Sequence, residues 1–278
     1  LTVGTVTKFA RSGNPKPRMI RLTSEDALIN ALGFPNKGID HVCRQLERSR
    51  KYLGSTPVIA SISGVTQEEI LQCRKQLELI ADIVEINISS PNTAGLRVFH
   101  EPRALRSLLN LINHGRTKPL LVKIPPYPVT DDTSAAYSEA KEKLITLARV
   151  CNEEDIDGLT LANTRPTSNL GLSMGLGGLS GKPLFPQTLE MVSAVRSEVG
   201  SRMTINACGG ISSGHDAWEV LNAGATTVQL YTGLIYRGPT IVRHINKEIL
   251  DILKEKALDS LESIRETTNK NPEADLLF

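Results

Sequence analysis

The chain is poor in cysteine and aromatic residues, and it carries no excess of charge of one sign. Its 278 residues include only four cysteines, and no two of them form a CxxC pair, so neither a disulfide framework nor a metal site is predicted. The formal net charge of +2 provides no strong positive field, which argues against nucleic acid as a partner. No run reaches the roughly 18 apolar residues that a membrane-spanning helix needs.

Short apolar runs alternate with longer segments of helical spacing along most of the chain. Seven runs have the composition of buried parallel strands, at residues 1–6, 57–61, 82–88, 120–124, 157–162, 203–207 and 226–230. Helical spacing occurs between or after them, at residues 67–80, 102–113, 135–151, 186–198, 215–223 and 239–256. This alternation predicts an α/β fold with a parallel sheet and right-handed crossovers.

Seven strands are one fewer than a closed (β/α)8 TIM barrel has, and an open barrel would expose two strand edges. We therefore expect a (β/α)8 barrel whose first β/α unit lies upstream of residue 1. The alternative is a doubly wound open sheet, although the GxGxxG turn typical of that fold is absent. We predict one domain over residues 1–278, with an elaborated loop at 8–52 and a polar tail at 257–278. That loop is either a lid over the barrel mouth or a surface excursion.

Uncharged polar residues follow several predicted strands. The segment INISSPNTAGLR at 86–97 places Asn87, Ser89, Ser90, Asn92 and Thr93 at or beyond a strand's carboxyl end, which is the active face of a barrel. The segments LTLANT and NALGFPN add Asn163, Thr164 and Asn30. Amides and hydroxyls suit a planar ligand with ring N–H and carbonyl groups, whereas the alternative is that they are ordinary turn residues.

A lysine and two glycine-rich segments complete the candidate site. Lys123 lies in an apolar strand, where its charge is costly unless an anionic ligand such as a reduced flavin, or a carboxylate such as Glu85, offsets it. The segments GLGGLSGKP and ACGGISSG precede predicted helices late in the barrel, where phosphate groups are often bound. The five histidines show no partner pattern and are interpreted as solvated or helix-end residues, so a hydroxyl must supply acid–base chemistry.

Several motifs resemble the dihydroorotate dehydrogenase family: INISSPNTAGLR, GGLSGKPL, GGISSGHDAWE, VQLYTGLIYRGP, GNPKPRMIRL and INALGFPNKG. The resemblance runs from about residue 4 to residue 248, and it implies an FMN-binding barrel that oxidises dihydroorotate to orotate in pyrimidine biosynthesis.

The resemblance also implies roles for individual residues. Ser90 would be the base that takes the proton from C5, with Thr93 as a relay, while hydride passes from C6 to flavin N5. Substrate would be held by Asn30, Asn87, Asn92, Asn163 and Thr164. FMN would be held by Thr5, Asn87, Lys123, Ser180, Gly181, Gly209, Gly210, Tyr231 and Thr232.

The sequence has features of both classes of the family. A serine base resembles the membrane-associated class that uses quinone, and Arg21 matches an arginine of its quinone tunnel. Ser61 and the KIPPY segment, by contrast, resemble the soluble class, whose acceptors include fumarate. We expect quinone as acceptor, a membrane segment upstream of residue 1, and a location at the inner membrane, mitochondrial in a eukaryote. The alternative location is cytoplasmic.

Three other functions are consistent with parts of the pattern. The first is another FMN barrel that reduces pyrimidines, and the second is a non-catalytic FMN-binding paralogue. The third is a flavin-free barrel that binds phosphorylated ligands. The colour of the purified protein and the reduced pyrimidine that bleaches it distinguish them.

Overall fold

The computed structural model describes residues 1–90, 95–127 and 135–264. Its strands are β1 (Thr2–Val6), β2 (Met19–Leu22), β3 (Ala27–Asn30), β4 (Ile59–Ile62), β5 (Ile83–Asn87), β6 (Leu120–Lys123), β7 (Gly158–Leu161), β8 (Arg165–Ser168), β9 (Leu176–Gly181), β10 (Thr204–Cys208) and β11 (Thr227–Gln229). Its α-helices are α1 (Ile39–Leu53), α2 (Gln67–Leu77), α3 (Pro102–Asn113), α4 (Ala135–Glu153), α5 (Phe185–Val199), α6 (Gly214–Asn222), α7 (Thr232–Arg237) and α8 (Ile241–Glu255).

Seven strands form one parallel sheet in the order β1-β4-β5-β6-β7-β10-β11, which curls into part of a barrel. These are the seven strands that the apolar runs predict, each within a few residues of the predicted bounds. Strands that follow one another along the chain in this set are neighbours in the sheet, whereas a doubly wound sheet reverses its strand order at a switch point. The doubly wound alternative is therefore wrong.

Several helices pack on this sheet through an apolar stripe. In α8 the stripe is Ile241, Ile245, Ile249 and Leu253, all buried and spaced four residues apart. Local capping defines where several helices begin. A capping box at Ser213 and Asp216 starts α6, so the chain leaves the glycine turn after β10 in a fixed direction.

A second, antiparallel sheet in the order β2-β3-β9-β8 was not predicted. Its strands come from the segment between β1 and α1 and from the segment between β7 and α5. Strand β3 pairs with β9 in the register Asn30↔Gly178 and Leu28↔Ser180. Two loops that follow different barrel strands are thereby joined through backbone hydrogen bonds.

The predicted bounds of the 8–52 loop are too wide. Its second half is α1, a barrel helix whose residues Ile39, Cys43 and Leu46 are buried at helical spacing. The abundant charges of α1 obscured this stripe in the sequence. In the predicted tail, Ile264 is buried, and residues 265–278 lie outside the described residues.

Candidate active site

An open cavity of about 900 Å³, which includes space open to solvent, lies at the carboxyl ends of the barrel strands and beneath the antiparallel sheet. Ten of the predicted site residues line it: Asn30, Lys123, Asn163, Thr164, Ser180, Gly181, Gly209, Gly210, Tyr231 and Thr232. They come from separate segments of the chain, so the structure brings together most of the predicted set.

Glycines at one end of the cavity adopt backbone conformations that other residues rarely take. Gly181 and Gly210 have φ values of +102° and +75°. A Cβ at Gly210 would lie 2.7 Å from Phe185 Cα, and one at Gly209 would lie 2.6 Å from Thr188 Oγ1. Packing within the protein therefore already requires glycine at these positions, and the resulting turns bring backbone to the cavity wall.

Hydroxyl groups and cations lie beside these turns. Thr232, the first residue of α7, donates from Oγ1 to Ser180 Oγ over 2.9 Å, which links the barrel to the antiparallel sheet. Lys182 and Arg237 also line the cavity and were not predicted, although they lie inside the GLSGKP and LIYRGP motifs. Two cations and two hydroxyls that line one cavity with the glycine turns are groups that suit a phosphate.

Lys123 lines another part of the cavity, at the end of β6. Its Nζ lies 3.9 Å from Cys208 Sγ on β10. Burial lowers the pKa of the Lys123 ammonium, but the nearby Cys208 and Glu85 raise it, and the net direction is upward. A positive charge is therefore held at the cavity wall.

Hydrogen bonds connect the polar residues at the ends of β1, β5 and β7. Asn87 donates from Nδ2 to Thr5 Oγ1 over 2.9 Å and accepts from Ser89 Oγ over 2.6 Å. Asn163 then donates from Nδ2 to Ser89 Oγ over 2.8 Å. Thr5 and Asn87 do not line the cavity themselves. They are connected through these hydrogen bonds to Asn163, which does.

Asn30 and Thr164 meet at the antiparallel sheet. Asn30 donates from Nδ2 to the Gly178 carbonyl over 3.4 Å. A Cβ at Gly178 would lie 2.6 Å from Thr164 Cβ, so glycine at this position makes room for the Thr164 side chain at the cavity. In the sequence this glycine belongs to a predicted phosphate-binding turn, but in the structure it lies inside β9.

Three predicted residues belong to the segment after β5. Ser90 is buried, with 6% of its surface exposed, and it does not line the cavity. Asn92 and Thr93 lie outside the described residues. The roles of all three stay predictions.

His100 lies at the end of a short helix, one of the two positions that the sequence predicts for the histidines, and it also has a backbone partner. Its Nε2 lies 2.7 Å from the Ile88 carbonyl, so the 3₁₀ helix Leu96–His100 is tied to the end of β5. Burial lowers the pKa of His100, although the bond to Ile88 acts in the opposite direction. A second cavity lies beside it, lined by Ser89, Arg97, Tyr127 and Lys143 among others. The structural role of His100 is visible only from its tertiary contact with Ile88.

The residues that suggest the class of electron acceptor lie near the same site. Arg21 stacks over the Tyr236 ring, 5.4 Å from its centroid, and Tyr236 lines the main cavity. Ser61 Oγ lies 3.3 Å from Thr5 Oγ1.

Over residues 1–90, 95–127 and 135–264, no group of three or more His, Cys, Asp or Glu side chains could hold a metal ion. No helix in those ranges is both long and apolar enough to cross a bilayer.

The fold and the site together define an α/β-barrel enzyme whose ligand cavity opens at the carboxyl ends of the strands. A sequence model described as dihydroorotate dehydrogenase matches residues 1–253, and the chain belongs to that family. The predicted family is confirmed.

Curated relatives named "Dihydroorotate dehydrogenase (quinone)" are similar over most of the chain. The protein of Coxiella burnetii (strain Dugway 5J108-111) is 38% identical over 263 residues, which are 88% of this chain and 72% of the relative. That of Xylella fastidiosa (strain M12) is 36% identical over 260 residues, which are 87% and 71%.

Solved structures resemble the whole fold. A crystal structure of Eimeria tenella DHODH in complex with ferulenol has a TM-score of 0.83 at 30% identity and covers 95% of this chain and 77% of its own. The ligand-free form has a TM-score of 0.82 at 31% identity, with coverages of 95% and 80%. These likenesses confirm the predicted barrel class.

Proposed function

We propose that the chain catalyses the FMN-dependent oxidation of (S)-dihydroorotate to orotate in pyrimidine biosynthesis and passes the electrons to a quinone. The observation that carries the proposal is the convergence of ten predicted site residues on one cavity in a chain of this family. The relatives that are named as quinone enzymes support quinone over fumarate.

The residues present fit FMN. Ser180, Gly181, Gly209, Gly210 and Thr232 would hold its phosphate, assisted by the cations of Lys182 and Arg237. Lys123 would face the isoalloxazine ring, where an ammonium group offsets negative charge on the reduced form. When bound, FMN would supply the hydride acceptor and the two-electron carrier between substrate and quinone.

The chain's own groups would orient the substrate and move one proton. Asn30, Asn163 and Thr164 lie at the cavity and offer amide and hydroxyl groups to the substrate's ring and carboxylate. Asn87 is fixed by Thr5 and Ser89, and we assign it to the same binding set. Ser90 would take the proton from C5 of dihydroorotate as hydride leaves C6. Because a serine hydroxyl is a weak base, it needs a water-excluded site and a relay such as Thr93.

A quinone acceptor is lipid-soluble. We therefore also propose that the enzyme works at a membrane surface, the inner mitochondrial membrane in a eukaryote.

Anaerobic stopped-flow spectroscopy tests the proposal. Mixing the yellow enzyme with dihydroorotate should bleach the flavin, and decylubiquinone should restore its colour faster than fumarate does. Dihydrouracil and dihydrouridine serve as controls for other pyrimidine substrates. A colourless protein, or bleaching by either control but not by dihydroorotate, would refute the assignment.

A further inference from the structure

Glu85 is a buried carboxylate for which the proposed chemistry has no direct use. It lies on β5 two residues before Asn87, and 1% of its surface is exposed. An ionised carboxylate is strongly destabilised away from water unless hydrogen bonds and a counter-charge compensate it. Its surroundings should therefore contain both.

The hydrogen bonds come from a polar network inside the parallel sheet. Thr160 on β7 donates from Oγ1 to Glu85 Oε2 over 2.6 Å. Asn206 on β10 donates from Nδ2 to Thr160 Oγ1 over 3.4 Å, and Thr227 on β11 donates to Asn206 Oδ1. Because each side chain comes from a different strand, the network fixes the position of the Glu85 carboxylate.

The positive charge that compensates Glu85 is Lys123, on the strand between those of Glu85 and Thr160. Lys123 on β6 is in register with Asn87 on one side and with Thr160 on the other. Residues two apart on a strand share a face, so Glu85 lies on the face of Asn87, one step below Lys123. The Glu85–Thr160 hydrogen bond thus crosses β6 beside Lys123, whose side chain lines the cavity.

We propose that Glu85 is a positioning residue whose anchored carboxylate is the counter-charge that keeps the Lys123 ammonium charged at the cavity wall. The sequence offers two alternatives for Lys123, an ion pair with a carboxylate and contact with an anionic ligand. In this arrangement both hold at once. The carboxylate below balances the cation, and the cation faces the cavity. The identity of the ligand as a flavin rests on the proposed function, whereas the charge pairing does not.

The electrostatics of Lys123 support this arrangement. Burial lowers the pKa of Lys123, and the two groups that raise it are Cys208 on β10 and Glu85 on β5. Of these two, only Glu85 is a carboxylate. The other charged or titratable groups that line the cavity are Asp26, Lys182, Tyr231, Tyr236 and Arg237. Without Glu85, one of the two groups that oppose the effect of burial is lost, so the pKa of Lys123 should fall.

The test measures the titration of Lys123 in the flavin-loaded protein by NMR of ¹³Cε-labelled lysine, with its signal assigned by its disappearance in Lys123→Arg. In Glu85→Gln, which preserves shape, the Lys123 midpoint should fall by about one pH unit or more. Thr160→Val is the matched control, because it removes the anchoring hydroxyl but keeps the charge, and Glu85→Asp should restore the midpoint. An unchanged midpoint in Glu85→Gln would overturn the proposal, as would an equal shift in Thr160→Val.

Two further readouts keep the outcome decisive. The difference in flavin reduction potential between Glu85→Gln and the unmodified chain should vary with pH, because Lys123 loses its charge at lower pH in the variant. A potential difference that is constant with pH argues against the proposal.

If Glu85→Gln does not fold, the double variant Glu85→Gln/Lys123→Met should fold, since it removes both charges. Failure of both variants to fold refutes the pairing. Failure of dihydroorotate to bleach the flavin would reject the proposed function and leave the NMR result unaffected.

Discussion

Asn163 donates a hydrogen bond to Ser89 Oγ over 2.8 Å, although the two residues are 74 positions apart in the chain. Ser89 in turn donates to Asn87, so one buried hydroxyl orients an amide on each side. Of these three residues, the sequence marks the two amides most clearly as binding groups. The structure shows that the serine between them fixes their geometry.

Ser89→Ala should weaken orotate binding and lower stability. The change removes the acceptor for Asn163 and the hydroxyl donor to Asn87, and a buried polar group left without its partner costs about 1–3 kcal/mol in the free energy of unfolding. Urea denaturation and orotate titration of the flavin absorbance measure the two effects. Ser197→Ala on the exposed side of α5 removes a single bond to the Ser193 carbonyl and is the control. Equal orotate affinity in both variants would contradict the orienting role.

Ser90→Ala should leave FMN bound and slow its reduction by dihydroorotate. A positioned general base contributes about 10²–10⁴-fold to rate, so a loss in that range is expected. Single-turnover bleaching under anaerobic conditions measures it, with orotate affinity as the check on binding. Bleaching at a normal rate would remove Ser90 from the mechanism.

His100→Gln should make stability less dependent on pH. Burial lowers the pKa of His100 from its usual 6.5, so as the pH falls the unfolded chain binds a proton before the folded chain does. The stability linked to His100 is therefore fully present above pH 6.5 and is lost as the pH falls below it. Glutamine can still donate to Ile88 but does not titrate. Urea denaturation from pH 7 to pH 5 should show the smaller loss in the variant, and parallel curves would disprove the linkage.

Gly210→Ala should destabilise the protein more than Gly238→Ala and should also weaken FMN binding. Both glycines have positive φ values, +75° and +76°, so an added Cβ is strained at either position. Only at Gly210 would the new Cβ meet Phe185, while nothing lies within 4 Å at Gly238. Overpacking costs about 1–3 kcal/mol, and that is the expected difference in unfolding free energy. FMN fluorescence titration gives the affinity, and similar values for both variants would argue against the turn as a cofactor contact.

Much of the barrel and most of its site could be predicted from residue patterns. The inner strands of the parallel sheet, β4, β5, β6, β7 and β10, are largely buried, so they appear as short apolar runs that end in polar residues. Asn163 and Thr164 follow such a run directly, and the rule that barrel sites lie at the carboxyl ends of strands places them at the cavity. Gly209 and Gly210 were found in the same way.

Other features depend on contacts between distant segments. The charged surface of α1 conceals its narrow buried stripe, so the sequence predicts a loop where this helix lies. His100 shows no local pattern because its partner is a backbone carbonyl twelve residues earlier. Lys182 and Arg237 lie inside the GLSGKP and LIYRGP motifs, but sequence alone does not distinguish a cation that lines a cavity from a solvated one.

The sequence alone determined the alternation of strands and helices and the residue types at the strand ends, because burial and turn chemistry act locally along the chain. Only the tertiary structure decided that β3 pairs with β9 over the cavity, that Ser89 joins Asn87 to Asn163, and that Thr160 anchors Glu85. These relationships depend on strand register and on the curl of the sheet. Side chains far apart in the chain come together only when the curled sheet brings their strands side by side.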